Sequence, residues 1–195
     1  DIHNVTVAAG PPKTVVVVVN NDVYTSTDNG TTWKSIGVRE GFDLGYPRGI
    51  KVQPGSPIVI FLTLGDTTPG STGCIMRSKD TGQNWERLPL PVEPNTAMWV
   101  VNAQPADPKI VLAGSRYGYL YRSDDGGRTW DSRSGGLTYE FVHAIAVDPR
   151  DADVAYVGTA SELHLLHREH EQQGLHEGEG IYKTLDGGRS WFLSD

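Results

Sequence analysis

Apolar residues alternate with polar or small residues over several short stretches of the chain. Four such stretches place every second residue on one face: His3, Val5 and Val7; Arg48, Ile50 and Val52; Trp99, Val101 and Ala103; His143, Ile145 and Val147. A period of two over several residues indicates a β-strand with two unlike faces. A Pro-containing turn and a second apolar run follow each stretch. The pattern therefore predicts repeated pairs of antiparallel strands.

A short motif occurs four times, once after each pair of predicted strands. It reads S-T-D-N-G-T-T-W at 26–33, S-K-D-T-G-Q-N-W at 78–85, S-D-D-G-G-R-T-W at 123–130 and T-L-D-G-G-R-S-W at 184–191. An apolar pair precedes every copy and the Trp starts another apolar run, so each copy predicts strand, tight turn, strand. Hydroxyl and Asp side chains hydrogen-bond to turn backbones, and Gly permits the positive φ that such turns need. Regular recurrence on this scale indicates a repeat architecture.

The spacing of the hydroxyl residue, Asp, Gly and Trp resembles the Asp box, also called the bacterial neuraminidase repeat. Proteins with this repeat include sialidases, sortilin-type receptors, xyloglucan-cleaving glycosidases and photosystem II assembly factors, all of which are β-propellers. The resemblance implies an all-β propeller with one box per four-stranded blade, in the turn between its third and fourth strands. It also places the boxes on the face opposite the usual active site, so we expect them to be structural.

Four four-stranded blades are predicted, at approximately 1–38, 46–90, 97–134 and 141–195. Closed propellers with Asp boxes usually have about six to eight blades. Three hypotheses follow: the chain is part of a larger propeller, it pairs with another copy or another chain to close a ring, or it closes a four-blade ring. The chain begins at Asp1 rather than Met, so we expect a processed form or a piece of something longer.

Composition narrows the classes of partner. The net charge of −7 and the pI of about 5.3 disfavour nucleic acid and anionic membranes, which both require a basic surface. No apolar run reaches the roughly 18 residues of a membrane-spanning helix. Cys74 is the single cysteine, so an internal disulfide is excluded and the compartment stays open. A soluble protein is expected, and secretion or a periplasmic location is compatible with the sequence.

The loops at the non-box end of the blades hold candidate contacts for a partner. They connect either the second and third strands of a blade or one blade to the next. Four residues in these loops are of the types enriched at interface hot spots: Arg39, Tyr46, Arg116 and Tyr117. The leading hypothesis is therefore a non-enzymatic binding or scaffold propeller that engages a protein or peptide through this loop face.

The resemblance to sialidases supports an alternative, a glycoside hydrolase or a glycan-binding protein. Sialidase chemistry uses arginines that clamp the substrate carboxylate, a Tyr–Glu nucleophile pair and an acid/base Asp. Residues of these types occur in the predicted loops: Arg48, Arg116, Tyr139, Glu140 and Asp43. The Phe-Arg-Ile-Pro motif that precedes the first box in sialidases is missing, which counts against this alternative.

The long loop at 161–180 supports a third hypothesis, metal binding. It contains four of the six histidines, and good helix formers at 161–173 predict the only helix of the chain. His164, His167 and His170 would lie on one stripe of that helix, where they could bind Zn²⁺ or another transition metal. The alternative is a polar surface helix over the propeller rim, because the i, i+3, i+6 spacing drifts around the helix. No other cofactor is predicted.

A large side chain occupies the same position at the start of each predicted first strand. The four residues are His3, Arg48, Trp99 and His143. Two interpretations are open for this position. The side chains either pack and hydrogen-bond between blades, or they form a pocket at the mouth of the central channel.

Overall fold

The chain folds into four antiparallel sheets of four strands each. The computed structural model describes residues 1–56, 58–137, 141–160 and 180–194. Within each sheet the hydrogen-bonded neighbours follow chain order. The predicted all-β architecture of four-stranded blades is confirmed. Among the described residues, no helix has the length and apolar character needed to span a membrane.

The strands are numbered in chain order, four to a blade. Blade 1 contains β1 (Ile2–Ala8), β2 (Thr14–Val19), β3 (Val23–Ser26) and β4 (Lys34–Ser35). Blade 2 contains β5 (Tyr46–Val52), β6 (Ile60–Gly65), β7 (Gly73–Ser78) and β8 (Glu86–Arg87). Blade 3 contains β9 (Met98–Ala103), β10 (Val111–Ser115), β11 (Leu120–Ser123) and β12 (Asp131–Ser132). Blade 4 contains β13 (Phe141–Val147), β14 (Ala155–Ala160), β15 (Gly180–Thr184) and β16 (Phe192–Leu193).

One short helix, α1 (Val38–Gly41), connects blades 1 and 2. The sequence pattern predicted a helix at 161–173 and nowhere else. The short helix α1 shows that the second part of this prediction is wrong. Four residues make one turn, which is too short to show a helical period. The predicted helix at 161–173 lies outside the described residues.

Each Asp box closes its turn with a repeated set of hydrogen bonds, shown here for blade 3. The Ser123 hydroxyl donates to Asp125 Oδ1 at 2.9 Å and accepts from the Gly127 amide at 2.8 Å. The Asp125 carboxylate accepts from the Thr129 amide at 2.9 Å and from its hydroxyl at 2.7 Å. Gly127 has φ +81°, and a Cβ there would lie 2.7 Å from the Phe61 ring. The boxes are therefore structural units of the blades.

The hydrogen bonds of the boxes keep their carboxylates ionised. The Thr32 hydroxyl and amide, with the Ser26 hydroxyl, lower the pKa of Asp28 to about 2. Burial acts to raise the pKa of Asp125, yet donors from Thr129, Ser123 and Arg128 outweigh it and the pKa is lowered. A carboxylate that accepts several donors is stabilised in its charged form.

The core consists of three clusters, each between two consecutive blades. The box Trp of a blade packs toward the preceding blade. Trp130 is 6% exposed and Trp191 is 4% exposed, and Trp191 Nε1 donates to the Arg133 carbonyl of blade 3 at 2.8 Å. Trp33 is 45% exposed. This difference arises because no described residue of another blade covers that side of blade 1.

The two end faces of the four-blade array are open to solvent. Val5 on blade 1 is 57% exposed and Ile181 on blade 4 is 55% exposed. Ile75 and Leu120, which occupy the position of Ile181 in blades 2 and 3, are buried in the interblade clusters. Strand β5 packs against β1 and β9, and β9 packs against β13, but β1 and β13 form no comparable contact. The described residues therefore form an open arc, and of the three hypotheses this arrangement contradicts the closed four-blade ring.

Candidate functional site

A β-bulge interrupts the inner strand of every blade at the same place. In β1, Ile2 pairs with Val19 and Asn4 pairs with Val18, so His3 is the extra residue. The register shifts in the other three inner strands fall on Arg48 with Gly49, on Trp99 and on His143. A bulge bends its strand and redirects a side chain. The four residues at the starts of the first strands are therefore presented by a shared backbone feature that the sequence pattern did not reveal.

The inner strands β1, β5, β9 and β13 line a cavity of about 360 Å³. His3, Arg48, Trp99 and His143 all lie on its wall, near the ends of these strands that meet the inter-blade loops. Among the described lining residues there is no Asp or Glu. His3 also makes an interblade contact, because its Nδ1 lies 2.9 Å from the Pro47 carbonyl oxygen. Both interpretations of this strand position therefore describe part of the structure.

Two arginines contact one tryptophan at this end of the cavity. The guanidinium carbon of Arg48 lies 3.9 Å from the Trp99 ring centre, and that of Arg116 lies 4.6 Å from the same ring. Arg116 also lies 5.2 Å from the Phe141 ring centre, and the Tyr46 ring is 6.3 Å from Trp99. Trp99 itself is only 7% exposed. We call Tyr46, Arg48, Trp99, Arg116 and Phe141 the mouth cluster.

Two threonine hydroxyls make hydrogen bonds at or next to the two arginines. Gly49, next to Arg48, donates its amide to the Thr63 hydroxyl at 2.7 Å, and a Cβ on Gly49 would lie 2.7 Å from the same oxygen. Only glycine fits this close approach without a shift of its neighbours. Arg116 Nη1 donates to the Thr68 hydroxyl at 2.9 Å. The Gly49 contact therefore fixes the backbone that carries Arg48, and the Thr68 hydroxyl holds the Arg116 guanidinium.

The electrostatic environment of the mouth is positive. Burial lowers the pKa of the Arg48 guanidinium, Tyr46 opposes that shift, and the charge of Arg116 adds to it. Burial also lowers the pKa of His143, and the charges of Arg116 and Arg48 lower it further. Burial lowers the pKa of His3 despite its hydrogen bond to the Pro47 carbonyl, and Arg48 adds to this effect. An anion at this place would meet two positive charges and two imidazoles.

The structure brings several of the predicted loop residues together. Tyr46, Arg48 and Arg116 belong to the mouth cluster. The Tyr117 ring packs 5.1 Å from the Phe141 ring, edge to face, at the border of the cluster. Their function as binding residues stays a prediction, since proximity alone does not identify a ligand.

Two other predicted residues lie apart from the mouth cluster. Arg39 is exposed on α1, and the Asp43 carboxylate is 3.8 Å from Arg87. Neither residue forms an ion pair or a ring contact with the cluster within the described part of the chain. Tyr139 and Glu140, the predicted nucleophile pair, lie outside the described residues. Of the set predicted for a sialidase-type site, Arg48 and Arg116 lie together and Asp43 pairs with Arg87, and the site as a whole stays a prediction.

The metal hypothesis concerns residues outside the described part of the chain. His164, His167 and His170 all lie there. Among the residues that are described, no group of three or more His, Cys, Asp or Glu side chains could hold a metal ion. Metal binding by the 161–180 loop stays a prediction.

Sequence reasoning missed three parts of the site. It did not place Phe141 or Thr68 beside Arg116, since both contacts join distant parts of the chain. It also did not single out Trp99 as the residue on which the arginines converge. A signal for Trp99 was present, because it is the only one of the five Trp residues that lies outside a box.

Comparison with known proteins supports the repeat. A family model for the BNR/Asp-box repeat matches residues 24–35 and 121–132. Xyloglucanase Xgh74A from Acetivibrio thermocellus is 29% identical over 139 residues, which cover 62% of this chain and 16% of the relative. The chain thus corresponds to a small part of the length of that protein.

Solved structures share the fold of the chain. An ancestral GH74 enzyme aligns with a TM-score of 0.73 at 19% identity, over 99% of this chain and 25% of that chain. The GH74 xyloglucanase from Xanthomonas campestris aligns with a TM-score of 0.68 at 18% identity, over 92% of this chain and 28% of that chain. YCF48 bound to a D1 peptide aligns with a TM-score of 0.57 at 17% identity, over 91% of this chain and 48% of that chain. The chain therefore has a β-propeller fold built from blades that carry the BNR/Asp-box repeat, and the family model matches two of its four boxes.

Proposed function

We propose that the chain is a non-enzymatic binding propeller that engages a polypeptide partner at the mouth cluster. The observation that carries this proposal is the convergence of Arg48 and Arg116 on the buried Trp99 ring. Arg, Trp and Tyr are the residue types that dominate binding energy at protein interfaces. Placement at strand ends gives these side chains a rigid support, which lowers the entropy cost of binding.

The lining of the cavity favours binding over glycoside hydrolysis. Retaining and inverting glycosidases generally use two carboxyl groups that flank the scissile bond. No carboxylate lines the cavity among the described residues, and Asp43 lies beside Arg87 instead. A polypeptide needs no such pair, because its carbonyls, carboxylates and side chains can bind to donors and rings that are already in place.

A neighbour of the same fold supports a polypeptide ligand. The structure of YCF48 that aligns with this chain holds a D1 peptide. The propeller fold is therefore compatible with peptide binding, although a fold alone does not determine a ligand. In this chain the argument rests on the residues of the mouth cluster.

A second candidate function is the binding or cleavage of a glycan. The 29% identity to a xyloglucanase favours it. Sugar rings often stack on exposed aromatic faces, but the Trp99 ring is buried and already contacted by two guanidiniums. Under this candidate, Glu140 stays the predicted carboxylate for catalysis.

A peptide display library tests the proposal. The wild-type chain should enrich a family of related sequences, and the double variant Arg48→Gln/Arg116→Gln should bind them at least about tenfold more weakly. The matched control is Arg128→Gln, since Arg128 is an exposed arginine of the blade 3 box turn whose Nε donates only to the Asp125 carbonyl. Binding by this variant should equal that of the wild type.

Two outcomes would count against polypeptide binding. The first is a library in which no sequence is enriched above background. The second is saturable binding or cleavage of xyloglucan oligosaccharides by the same preparation, which would favour the glycan candidate.

A further inference from the structure

Two positive charges at the mouth lack a negative partner among the described residues. Arg48 and Arg116 contact the same indole ring, and neither has a carboxylate within 4.0 Å in that part of the chain. We infer that the mouth cluster is a preformed site for one oxyanion, a carboxylate, phosphate or sulfate group. This inference rests on the proposed function, because it names the chemical group through which the partner binds.

Three other arginines whose side chains are buried or half-buried do have a carboxylate partner. Arg77 Nε lies 2.8 Å from the Glu86 carboxylate, and Arg122 Nε lies 2.8 Å from the Asp124 carboxylate. Arg133 has a carboxylate at 2.9 Å. With 24 acidic and 17 basic residues, the chain has an excess of carboxylates. Among the described residues, Arg48 and Arg116 therefore lack the carboxylate that the buried or half-buried arginines Arg77, Arg122 and Arg133 have.

The Arg116 guanidinium has a donor that is not used. Its Nη1 bonds to the Thr68 hydroxyl, but its Nε is buried and has no acceptor among the described residues, as is also the case for Trp130 Nε1 and Arg133 Nε. Buried polar atoms in folded proteins nearly always have a partner, so an exception requires an explanation. An oxyanion at the half-buried guanidiniums would compensate the charge of Arg116 and reduce the repulsion between Arg116 and Arg48. Guanidinium donors match the geometry of carboxylate and phosphate oxygens.

The site is ordered before any ligand arrives. Trp99 and Phe141 pack against the Arg116 guanidinium, and the bulge with Gly49 sets the direction of Arg48. Side chains that are already fixed lose little freedom when a ligand binds. The like charges are held together by the fold, and an anion converts that repulsion into attraction.

Titration with simple anions tests this inference without a polypeptide. The 195-residue chain, labelled with ¹⁵N, is titrated with sodium sulfate, inorganic phosphate or sodium acetate, with sodium chloride holding the ionic strength constant. The Nε–H signal of Arg116, assigned by its loss in Arg116→Gln, should move and saturate. Arg48→Gln should weaken the apparent affinity at least about tenfold, since one of two charges is lost. Arg128→Gln should leave it unchanged. Tighter binding of acetate would identify a carboxylate site, and tighter binding of sulfate or phosphate would identify a tetrahedral anion site.

Circular dichroism shows whether Arg116→Gln folds. If it does not fold, a second variant tests the same site. Thr68→Ala keeps the guanidinium and removes only its hydroxyl partner, and it should weaken anion binding several-fold. A shift that stays linear with concentration, or an equal affinity in Arg48→Gln and wild type, overturns the inference. Saturable sulfate binding without any peptide binding would uphold the inference and defeat the proposed function. Peptide binding of undiminished affinity in both arginine variants would overturn the inference and would also show that the polypeptide binds away from the two arginines.

Discussion

The box turns and the mouth cluster lie at opposite ends of the blades, and their charged side chains differ in how they are paired. In the blade 3 box, the Asp125 carboxylate accepts bonds from the amide and the hydroxyl of Thr129. At the mouth, Arg116 Nε is buried without an acceptor among the described residues, and Arg48 lies nearby with the same charge. The box carboxylates have donors within their own turn, whereas the two arginines at the mouth have no carboxylate in the described part of the chain.

This difference in pairing distinguishes the box residues, which form the fold, from the mouth residues, which are available for binding. The box motif recurs in all four blades with the same hydrogen bonds, because every blade needs the same turn. The bulge positions at the mouth have the same backbone but hold His3, Arg48, Trp99 and His143. A shared backbone with unlike side chains allows a repeat protein to build one asymmetric site.

The largest effect should come from the box Trp of an interior blade. Trp130→Ala removes a ring from the core between blades 2 and 3 and should lower the free energy of unfolding by about 3–5 kcal/mol. The matched variant Trp33→Ala, at the same motif position but exposed on blade 1, should cost less than about 1 kcal/mol. Urea denaturation of both variants measures the difference. Equal losses would show that the exposed end face of blade 1 is covered in solution.

Two arginines provide the next test. Arg77→Met breaks the bonds to the Glu86 carboxylate and the Gly126 carbonyl, so it should lower the free energy of unfolding by about 2–3 kcal/mol. Arg48→Met keeps an apolar side chain beside Trp99 and removes a repelling charge. It should leave the free energy of unfolding within about 0.5 kcal/mol of wild type, or raise it. If Arg48→Met is as destabilising as Arg77→Met, the arginine at the mouth is structural.

The box carboxylates should make stability depend on acid. Asp28 has its pKa lowered from 3.8 to about 2 in the folded state, and the pKa values of Asp80, Asp125 and Asp186 are also lowered. A lowered pKa contributes stability that is present above the unfolded value and is lost as pH falls through the folded value. Stability should therefore decline between about pH 4 and pH 2. Thermal melts across this range, with Asp28→Asn as the comparison, should show a smaller decline in the variant.

The smallest expected effect is a pH dependence of anion binding at the mouth. The pKa values of His3 and His143 are lowered, and a bound anion would raise them. Sulfate affinity should therefore rise as the imidazoles become protonated at lower pH, by about two- to five-fold between pH 7.5 and pH 5.5.

Other charged groups lie close to His3 and His143, so a variant of both histidines is needed as a control. Burial and the charges of Arg116 and Arg48 lower the pKa of His143. Burial, Arg48 and the N-terminal amine lower the pKa of His3, and the Asp1 carboxylate lies 3.5 Å from its ring. Lys51 lines the same cavity. The double variant His3→Gln/His143→Gln should abolish the pH dependence and keep most of the affinity. A pH dependence that persists in this variant would assign it to other groups.

Features that depend only on residues close together in the chain could be predicted from the sequence. The box turns were predicted because the hydroxyl, Asp, Gly and Trp make their contacts within eight consecutive positions. Burial of the box Trp was not predictable in the same way. Trp33 and Trp130 have the same motif context, and their exposures differ because only one has a preceding blade.

The site depended on contacts that no local pattern contains. The bulges at His3 and His143 keep the alternation of apolar residues on either side, so the sequence gives no sign of them. The pairing of Arg48 with Arg116 joins blades 2 and 3 through Trp99. Residue types suggested each arginine separately as a candidate, but only the fold shows that they meet.

An anomalous diffraction experiment tests the central claim most directly. Crystals of the chain soaked in sodium selenate would locate an oxyanion through the selenium signal. The account predicts a peak at the mouth cluster, within about 4 Å of a guanidinium nitrogen of Arg48 or Arg116, and no peak at the carboxylate-paired Arg77. Peaks only at exposed arginines such as Arg128, with none at the mouth, would contradict it.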